Sequence, residues 1–421
     1  YNNAHLNSAL LKLKNLGNTL LMVEHDPMTL AIADKIIDFG PSAGRLGGEL
    51  ISEGPIKELK KDPLSLTGNY LSGKKKLFVP KTRRPPAAYI NIENARMNNL
   101  KSLNVSIPTQ ALTCITGVSG SGKSTLISDI LKNSLQSRLA KRSKDDSVSY
   151  EGSTISGLSS FNKLIAIDQN PIGTTIRADV NTYTEISGLL RQFFASLPEA
   201  ASRGLMPKHF SYNHPKGMCQ TCMGLGFKTV NLQFLPSVRV ECDSCRGNRL
   251  KPISLKIAYK GKNLGQLLKC TIEDAKHLLP AIPKLQHTLD VLIATGLGYL
   301  TLGQEIQSLS GGEAGRIRLA KELSKRTTGK TLYIFDEPTI GLHPEDIAKL
   351  FPIFTSLLEK KNTVIIIEHN LDIMAFADHI IDLGPGAGED GGHLVACGTP
   401  EQVVSDKKSI TGKYLAKILR L

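Results

Sequence analysis

The stretch ALTCITGVSGSGKST, Ala111 to Thr125, sets a short apolar run directly against a glycine-rich loop. From Gly117 to Ser124 it matches G-x-x-x-x-G-K-[ST], in which Gly117, Gly120 and Gly122 let the backbone curl until successive N–H groups face one phosphate chain. Val118, Ser119, Ser121 and Thr125 complete the loop, Lys123 offers a point charge to the outer phosphates, and Ser124 offers a hydroxyl to Mg2+. A helix beginning near Lys123 adds the positive end of its dipole. Strand, loop and helix in that order predict an α/β fold with a parallel sheet.

Two further apolar runs, TLYIFDEP and NTVIIIEHN, read as buried parallel strands. The first ends on Asp336 and Glu337, at the carboxyl end where parallel sheets gather ligands. Asp336 is expected to hold the metal through water, and Glu337 to orient or deprotonate an attacking water. The second ends on His369, placed to meet a terminal phosphate. In LSGGEAGRIRLAKEL, Ser310, Gly311 and Gly312 open an evident helix, whose free N–H groups form a second anion cradle. Two cradles make sense if ATP is held between domains.

Between the loop and that helix lie Cys219 and Cys222, then Cys242 and Cys245, two CxxC pairs at the spacing of one four-thiolate Zn2+ site. Such a site has no open coordination position, so its expected role is structural. Cys114, Cys270 and Cys397 have no partners at ligand spacing. Phe227, Leu232, Phe234, Leu235 and Val238 suggest a hairpin with an apolar face between the knuckles, flanked by Lys208, Lys216, Arg246, Arg249 and Lys251. The residues alone leave open whether this module is a staple or touches a polyanion.

An internal repeat sets the organisation. The segment from Asn18, NTLLMVEHDPMTLAIADKIIDFGP, aligns without a gap to NTVIIIEHNLDIMAFADHIIDLGP from Asn362, at a constant offset of 344 residues. The chain therefore reads as the end of one domain followed by a complete second copy. Between them SGKKKLFVPKTRRPPA, from Ser72, reads as a solvated basic linker, and Ser134 to Ser160 reads as a mobile polar stretch. With 52 basic against 38 acidic side chains the net charge is +14, which favours a polyanionic partner such as nucleic acid and also serves solubility. No run of about 18 apolar residues suggests a membrane span, no leader is visible, and the cysteine spacing fits a reducing cytoplasm.

Taken together, these motifs resemble the ATP-binding-cassette class, and within it ITGVSGSGKSTLI, IDQNPIG, LSGGEA, FDEPTIGLH, IEHNLD and the four-cysteine insertion resemble the UvrA family. The resemblance implies a tail of a first cassette at 1–71, a linker at 72–88 and a second cassette at 89–421. Within that cassette it implies Walker A at 117–125, a zinc-bearing insertion at 205–252, a signature at 309–323, Walker B at 331–338 and the switch histidine His369. It also implies Gln169 as a catalytic residue beside Glu337 and His369. The implied activity is an ATPase that binds damaged double-stranded DNA through the zinc module in nucleotide excision repair, as a homodimer of the full-length protein, and loads UvrB-like and UvrC-like subunits that make the incision. The sequence departs from the family pattern at Gly315, where glutamine is usual, and at Thr174 and Ile176, where arginine and proline are common. A divergent member serving tolerance of DNA-binding drugs, and a transporter motor, are the alternatives.

Overall fold

A computed structural model describes residues 2–41, 44, 47–143, 145–168, 175–232, 235–325 and 329–419. The chain divides into two compact units, residues 1–169 with 326–421, and residues 170–325. The first unit begins with the antiparallel pair β1 (Ile36–Gly40) and β2 (Glu49–Gly54). It continues through β3 (Tyr89–Ala95), β4 (Leu103–Pro108), β5 (Leu112–Gly117), β6 (Val148–Tyr150), β7 (Ser153–Ser156) and β8 (Lys163–Ile167). The second unit carries the hairpin β9 (Phe227–Leu232) and β10 (Leu235–Glu241) and the short pair β11 (Ala258–Tyr259) and β12 (Lys262–Asn263). The chain then returns to the first unit as β13 (Thr331–Asp336), β14 (Thr363–Ile367), β15 (His379–Gly384) and β16 (His393–Gly398).

Six of these strands form one sheet in the order β16-β15-β5-β14-β13-β8, parallel except for the antiparallel edge strand β16. Continuous burial of TVIII in β14 and of TLYIF in β13 follows from having chain on both faces. An antiparallel sheet, β4-β3-β7-β6, shares a core with it: Ile90, Ile92 and Ile107 pack with Leu126, Ile127 and Ile130 of the helix after the glycine loop and with Ile115, Ile334 and Ile365. Because β5, β14 and β13 are adjacent and parallel, the glycine loop, His369 and the Asp336–Glu337 pair all leave the sheet at its carboxyl edge.

The described residues between Ser134 and Ser160 form regular structure rather than a plain polar loop. They form helix Asn133–Ala140 and the strands β6 and β7, with β7 paired to β3. Their polar residues are consumed locally. Buried Arg138 donates to the carbonyls of Asp145 (2.8 Å) and Phe161 (3.1 Å), and Asp146 accepts the N–H groups of Gly157 (3.1 Å) and Ser159 (3.0 Å). The basic linker is also anchored. Arg83, its side chain only 10% exposed, meets Glu401 at 2.6 Å and donates to the carbonyls of Ala375 and Ala377, and the N–H of Arg84 donates to Asp378.

The repeat is visible in three dimensions and unequal in outcome. Asp382, in β15, accepts hydroxyl hydrogen bonds from Ser409 (2.6 Å), Thr411 (2.8 Å) and Thr116 (2.9 Å). Asp38, in β1, accepts the equivalent bonds from Ser65 (2.5 Å) and Thr67 (2.8 Å). The strand after Asn18 is different: Leu21 and Val23 are 93% and 95% exposed, whereas Ile365 and Ile367, at the same repeat positions, are buried in β14. Strand formation needs neighbours, and β14 lies between β5 and β13, while 19–24 pairs with no strand among the described residues.

The second unit is a helical body around Phe194, Phe210, Leu267, Leu289 and Ile317, including helices Ile186–Ser196, Pro283–Ala294 and Gly311–Leu323. No helix among the described residues is long and apolar enough to cross a membrane.

Asp382 is buried and its three donors converge from β5 (Thr116) and from the start of helix Ile410–Leu419 (Ser409 just before it, Thr411 within it), so Asp382→Ala should cost about 3 kcal/mol by leaving hydroxyls unsatisfied. Asp38→Ala, at a half-buried position with fewer donors, should cost about 1 kcal/mol. Urea denaturation of the two variants measures the difference.

Candidate nucleotide site and metal centre

The glycine loop leaves β5 and turns on three left-handed glycines, Gly117 (φ +132°), Gly120 (φ +78°) and Gly122 (φ +101°). A side chain at Gly117 would lie 2.0 Å from the Leu383 carbonyl oxygen, so only glycine fits there. Lys123 is buried, and its ammonium donates to the carbonyls of Gly117 (2.9 Å) and Val118 (2.8 Å), inside the curl. Burial holds its pKa below the usual lysine value, against the opposing pull of Glu337, Asp336 and Asp382. Ser124 is exposed at the helix start, and Thr125 accepts the side-chain amide of Asn98 at 3.1 Å. The hydroxyl of Ser121 is buried with no hydrogen-bond partner. An orphaned donor beside a caged ammonium and curled N–H groups is the chemistry of an anion cradle.

Carboxylates crowd the same edge. Burial raises the pKa of Asp336, and the charges of Glu337 and Asp168 push it further up while Lys123 opposes them. Such a cluster is relieved by a divalent cation. Glu337 itself stands at φ +47°, in the left-handed region, while its N–H still donates to the Ile367 carbonyl at 2.9 Å. A strained carboxylate at the end of a buried strand is the kind of outlier that functional sites keep. His369 Nε2 lies 3.2 Å from the Glu337 carboxylate.

Three neighbours escaped the sequence reading. Asp168 follows directly after β8 and adds its charge to the acidic cluster. Glu368 is buried and accepts the N–H groups of Thr339 (3.0 Å), His369 (2.6 Å) and Asn370 (2.9 Å), together with the Thr339 hydroxyl, which fixes the backbone that carries His369. The repeat held the signal for it, because Glu24 accepts the N–H groups of His25 and Asp26 in the same way. Asn99 binds the outside of the glycine loop. Gln169, and Thr174 after it, lie outside the described residues.

In the second unit Ser310 caps helix Gly311–Leu323. Its hydroxyl accepts the Glu313 N–H at 3.3 Å, and the Glu313 carboxylate accepts the Ser310 N–H at 2.8 Å, a reciprocal capping box. Gly311 and Gly312 follow as the first helical residues, with open space around Gly311. Gly315 also faces open space, so a Cβ there would meet no neighbour.

Cys219, Cys222, Cys242 and Cys245 are all buried, with ligand atoms within 4.8 Å of one another. Cys219 and Cys242 are 4.0 Å apart through sulfur, and Cys222 and Cys245 are 3.7 Å apart. A tetrahedron with metal–sulfur bonds of about 2.3 Å has sulfur–sulfur edges of about 3.8 Å, so the donor set fits. Burial alone would raise the Cys219 thiol, but N–H groups of Cys222 and Thr221 outweigh it and leave the pKa at about 7. Burial pushes Cys245 up to about 12. Four thiolates therefore need a cation among them to coexist.

The hairpin between the knuckles is present, and its apolar face is Val230, Val238 and Val240, each more than 40% exposed. Phe234 lies outside the described residues. One flanking cation and both hairpin cations are committed elsewhere. Arg249 pairs with buried Asp179 at 2.8 Å and donates to the Gly303 carbonyl, so it is structural rather than a surface charge. Arg239 pairs with Glu305 at 2.7 Å and Lys228 with Asp243 at 2.7 Å, while Lys216 and Arg246 are exposed.

No family model matches the chain. It is 49% identical over 409 residues to UvrABC system protein A of Aquifex aeolicus, a stretch covering 97% of this chain and 44% of that protein. To UvrABC system protein A of Staphylococcus aureus it is 47% identical over 418 residues, covering 99% of this chain and 44% of that protein. The crystal structure of UvrA2 from Deinococcus radiodurans matches with a TM-score of 0.90 at 41% identity, over 99% of this chain and 50% of that one. The chain thus spans about half the length of the relatives it matches. Identity of this order over nearly every residue, with the backbone following the same path, means that the chain belongs to the UvrA family.

Proposed function

We propose that this chain is the ATP-hydrolysing, zinc-containing portion of a DNA-damage recognition subunit of the UvrABC type, acting in nucleotide excision repair. The observation that carries the ATPase reading is the convergence, at one sheet edge, of Lys123 inside its glycine loop, the Asp336 cluster, and Glu337 with His369 at 3.2 Å. In this reading residues 1–71 are the tail of a first cassette and 89–421 a second, and Ser310, Gly311 and Gly312 close over nucleotide bound to another cassette. Gly117 to Thr125 hold the phosphates of ATP, Ser124 and Asp336 hold Mg2+, Gln169 and Glu337 position the attacking water, and His369 meets the terminal phosphate. When bound, Mg2+ supplies charge neutralisation along the phosphates. The protein's own contribution is then to orient water and hold its proton at the Glu337 carboxylate.

Zn2+ fits the four-sulfur cluster and would staple the module that presents the hairpin. The partners of the whole protein in this reading are damaged double-stranded DNA, UvrB-like and UvrC-like subunits, and a second copy of the full-length chain, in the cytoplasm. Incision belongs to the partner subunits. The exposed Lys216 and Arg246 beside the hairpin support contact with DNA phosphates.

Glu337→Gln should bind ATP as the parent does while steady-state phosphate release falls about 100-fold, since a positioned base contributes on that order; Lys123→Ala should instead weaken nucleotide binding, measured by titration. Equal turnover in Glu337→Gln and the parent removes Glu337 from the catalytic role. For the metal, elemental analysis should find one zinc per chain, lost in Cys242→Ser and bound more weakly as pH falls, because protons compete for the thiolates. For DNA, filter binding should weaken steeply with salt, with log affinity linear in log salt and a slope reduced by about 1 in Arg246→Ala if that side chain neutralises a phosphate. Salt-independent retention, or none, would count against the DNA reading and leave a nucleotide-driven motor.

A further inference from the structure

The glycine loop is held from outside by two segments remote in sequence. The Gly120 carbonyl accepts the side-chain amide of Asn99 at 2.9 Å and the N–H of Gly388 at 3.1 Å. The next carbonyl, of Ser121, accepts the N–H of Gly392 at 3.1 Å. Asn99 ties the two outer segments together, since its amide also donates to the Gly388 carbonyl at 3.1 Å, and the N–H of Lys101 donates to the Gly392 carbonyl at 3.1 Å. There is no slack between them. A Cβ on Gly392, at φ +82°, would lie 1.9 Å from the Asn99 carbonyl oxygen, and one on Gly391 would lie 3.2 Å from the Ser121 Cα.

Peptide planarity converts this outer grip into inner aim. In a trans peptide the C=O and the following N–H point to opposite sides of the chain. Fixing the Gly120 carbonyl against Asn99 and Gly388 therefore sends the Ser121 N–H the other way, where it donates across the loop to the Val118 carbonyl at 3.2 Å. Fixing the Ser121 carbonyl against Gly392 aims the Gly122 N–H by the same rule. Val118 is also where the Lys123 ammonium sits. The Ser121 N–H and the Lys123 ammonium thus share one acceptor.

We infer that Asn99, with the Gly386–Gly392 loop it grips, is a positioning residue for phosphate binding: by fixing the peptide planes of Gly120 and Ser121 it sets the curl of the loop, through the Ser121 N–H bonded to Val118, and the aim of the Gly122 N–H, without meeting the ligand itself. A second observation points the same way. GPGAGEDGG, Gly384 to Gly392, recurs as GPSAGRLGG, Gly40 to Gly48, at the 344-residue offset of the repeat, as a part shared by two nucleotide sites would. The inference rests on the ATP-binding reading, and its test separates the two.

The probe is Mg·ADP, titrated calorimetrically into the chain, because the diphosphate tests the loop without requiring closure across two cassettes. Asn99→Asp keeps the size of the side chain but turns a carboxylate toward two carbonyls, and Asn99→Ala removes the donors without adding charge. Both should raise the Mg·ADP Kd about ten-fold, the scale of one lost hydrogen bond. Both should also speed amide exchange in the Gly117–Thr125 peptide before nucleotide is added, which a role confined to overall stability would not single out. Gly392→Ala should shift the Kd in the same direction. If the parent binds and Lys123→Ala does not, then unchanged Kd and unchanged exchange in folded Asn99→Asp and Asn99→Ala overturn the inference. If the parent itself fails to bind Mg·ADP, the ATP reading falls and takes the inference with it.

Discussion

Parallel pairing of β5 with β14 on one side and β15 on the other is the constraint on which the rest of the first unit depends. It buries three strands on both faces, and at two places polar groups of β5 are answered from the chain beside it. Thr116 of β5 gives its hydroxyl to Asp382 of β15, and the N–H of Leu112 goes to Asp378, just before β15. The same pairing sends the glycine loop, the Glu368–His369 turn and, one strand further, Asp336 and Glu337 out of the sheet together. Lys123 and Asp336 pay opposite electrostatic penalties there, the lysine lowered and the aspartate raised by burial. Opposite charges gathered at one sheet edge around a glycine loop suit a phosphate chain and its cation, which is why the geometry supports nucleotide chemistry.

The two repeats show how far a sequence pattern carries without its neighbours. At equivalent positions the first copy has the ion pair Lys35–Glu53 at 3.3 Å, and the second has His379 Nε2 3.2 Å from the Cys397 sulfur. Both bridge the same two strands of the motif, so the cross-strand position is kept while its chemistry is free to change. The hydroxyl–carboxylate latch, by contrast, is kept residue for residue at Asp38 and Asp382. Apolar periodicity alone did not make a strand of 19–24. Its Leu21 and Val23 have the composition of β14 and none of its flanking chain.

What was legible in the sequence was local. The glycine loop, the paired CxxC knuckles, the acidic end of β13 and the capped helix at Ser310 are each written within a few residues, because each is a turn or strand end whose chemistry and geometry coincide. Asp168 and Asn99 were not legible, since their meaning comes from chain far away in sequence, whereas Glu368 had its counterpart Glu24 in the repeat as a signal. Arg249 was misjudged for the same reason: its basic neighbours suggested a surface, whereas Asp179, distant in sequence, draws it inward. Ser134 to Ser160 misled through composition, because serine and charge read as solvated until Arg138 and Asp146 are seen to close the turns. Gln169 was reached only through the family resemblance, and the described geometry does not extend to it.

The tail of the first repeat also meets the second at a point that its own chemistry defines. His343 caps helix Pro344–Glu359, just after the Asp336–Glu337 turn, and its Nδ1 accepts the Glu345 N–H at 3.2 Å. Burial lowers its pKa and the neighbouring His25 adds to the effect. With Nδ1 accepting, the single ring proton must be on Nε2, which then donates to the Thr67 hydroxyl at 3.3 Å. Thr67 in turn gives its own hydrogen to Asp38 at 2.8 Å. Each group in this chain has one orientation open to it, and the last is the carboxylate that latches the first repeat. His25, the counterpart of His369, stands edge-on to the same ring at 6.0 Å. The turn that follows Glu337 in one repeat is therefore hydrogen-bonded to the latch of the other and abuts its histidine, and the imidazole of His343 is the group the two contacts share.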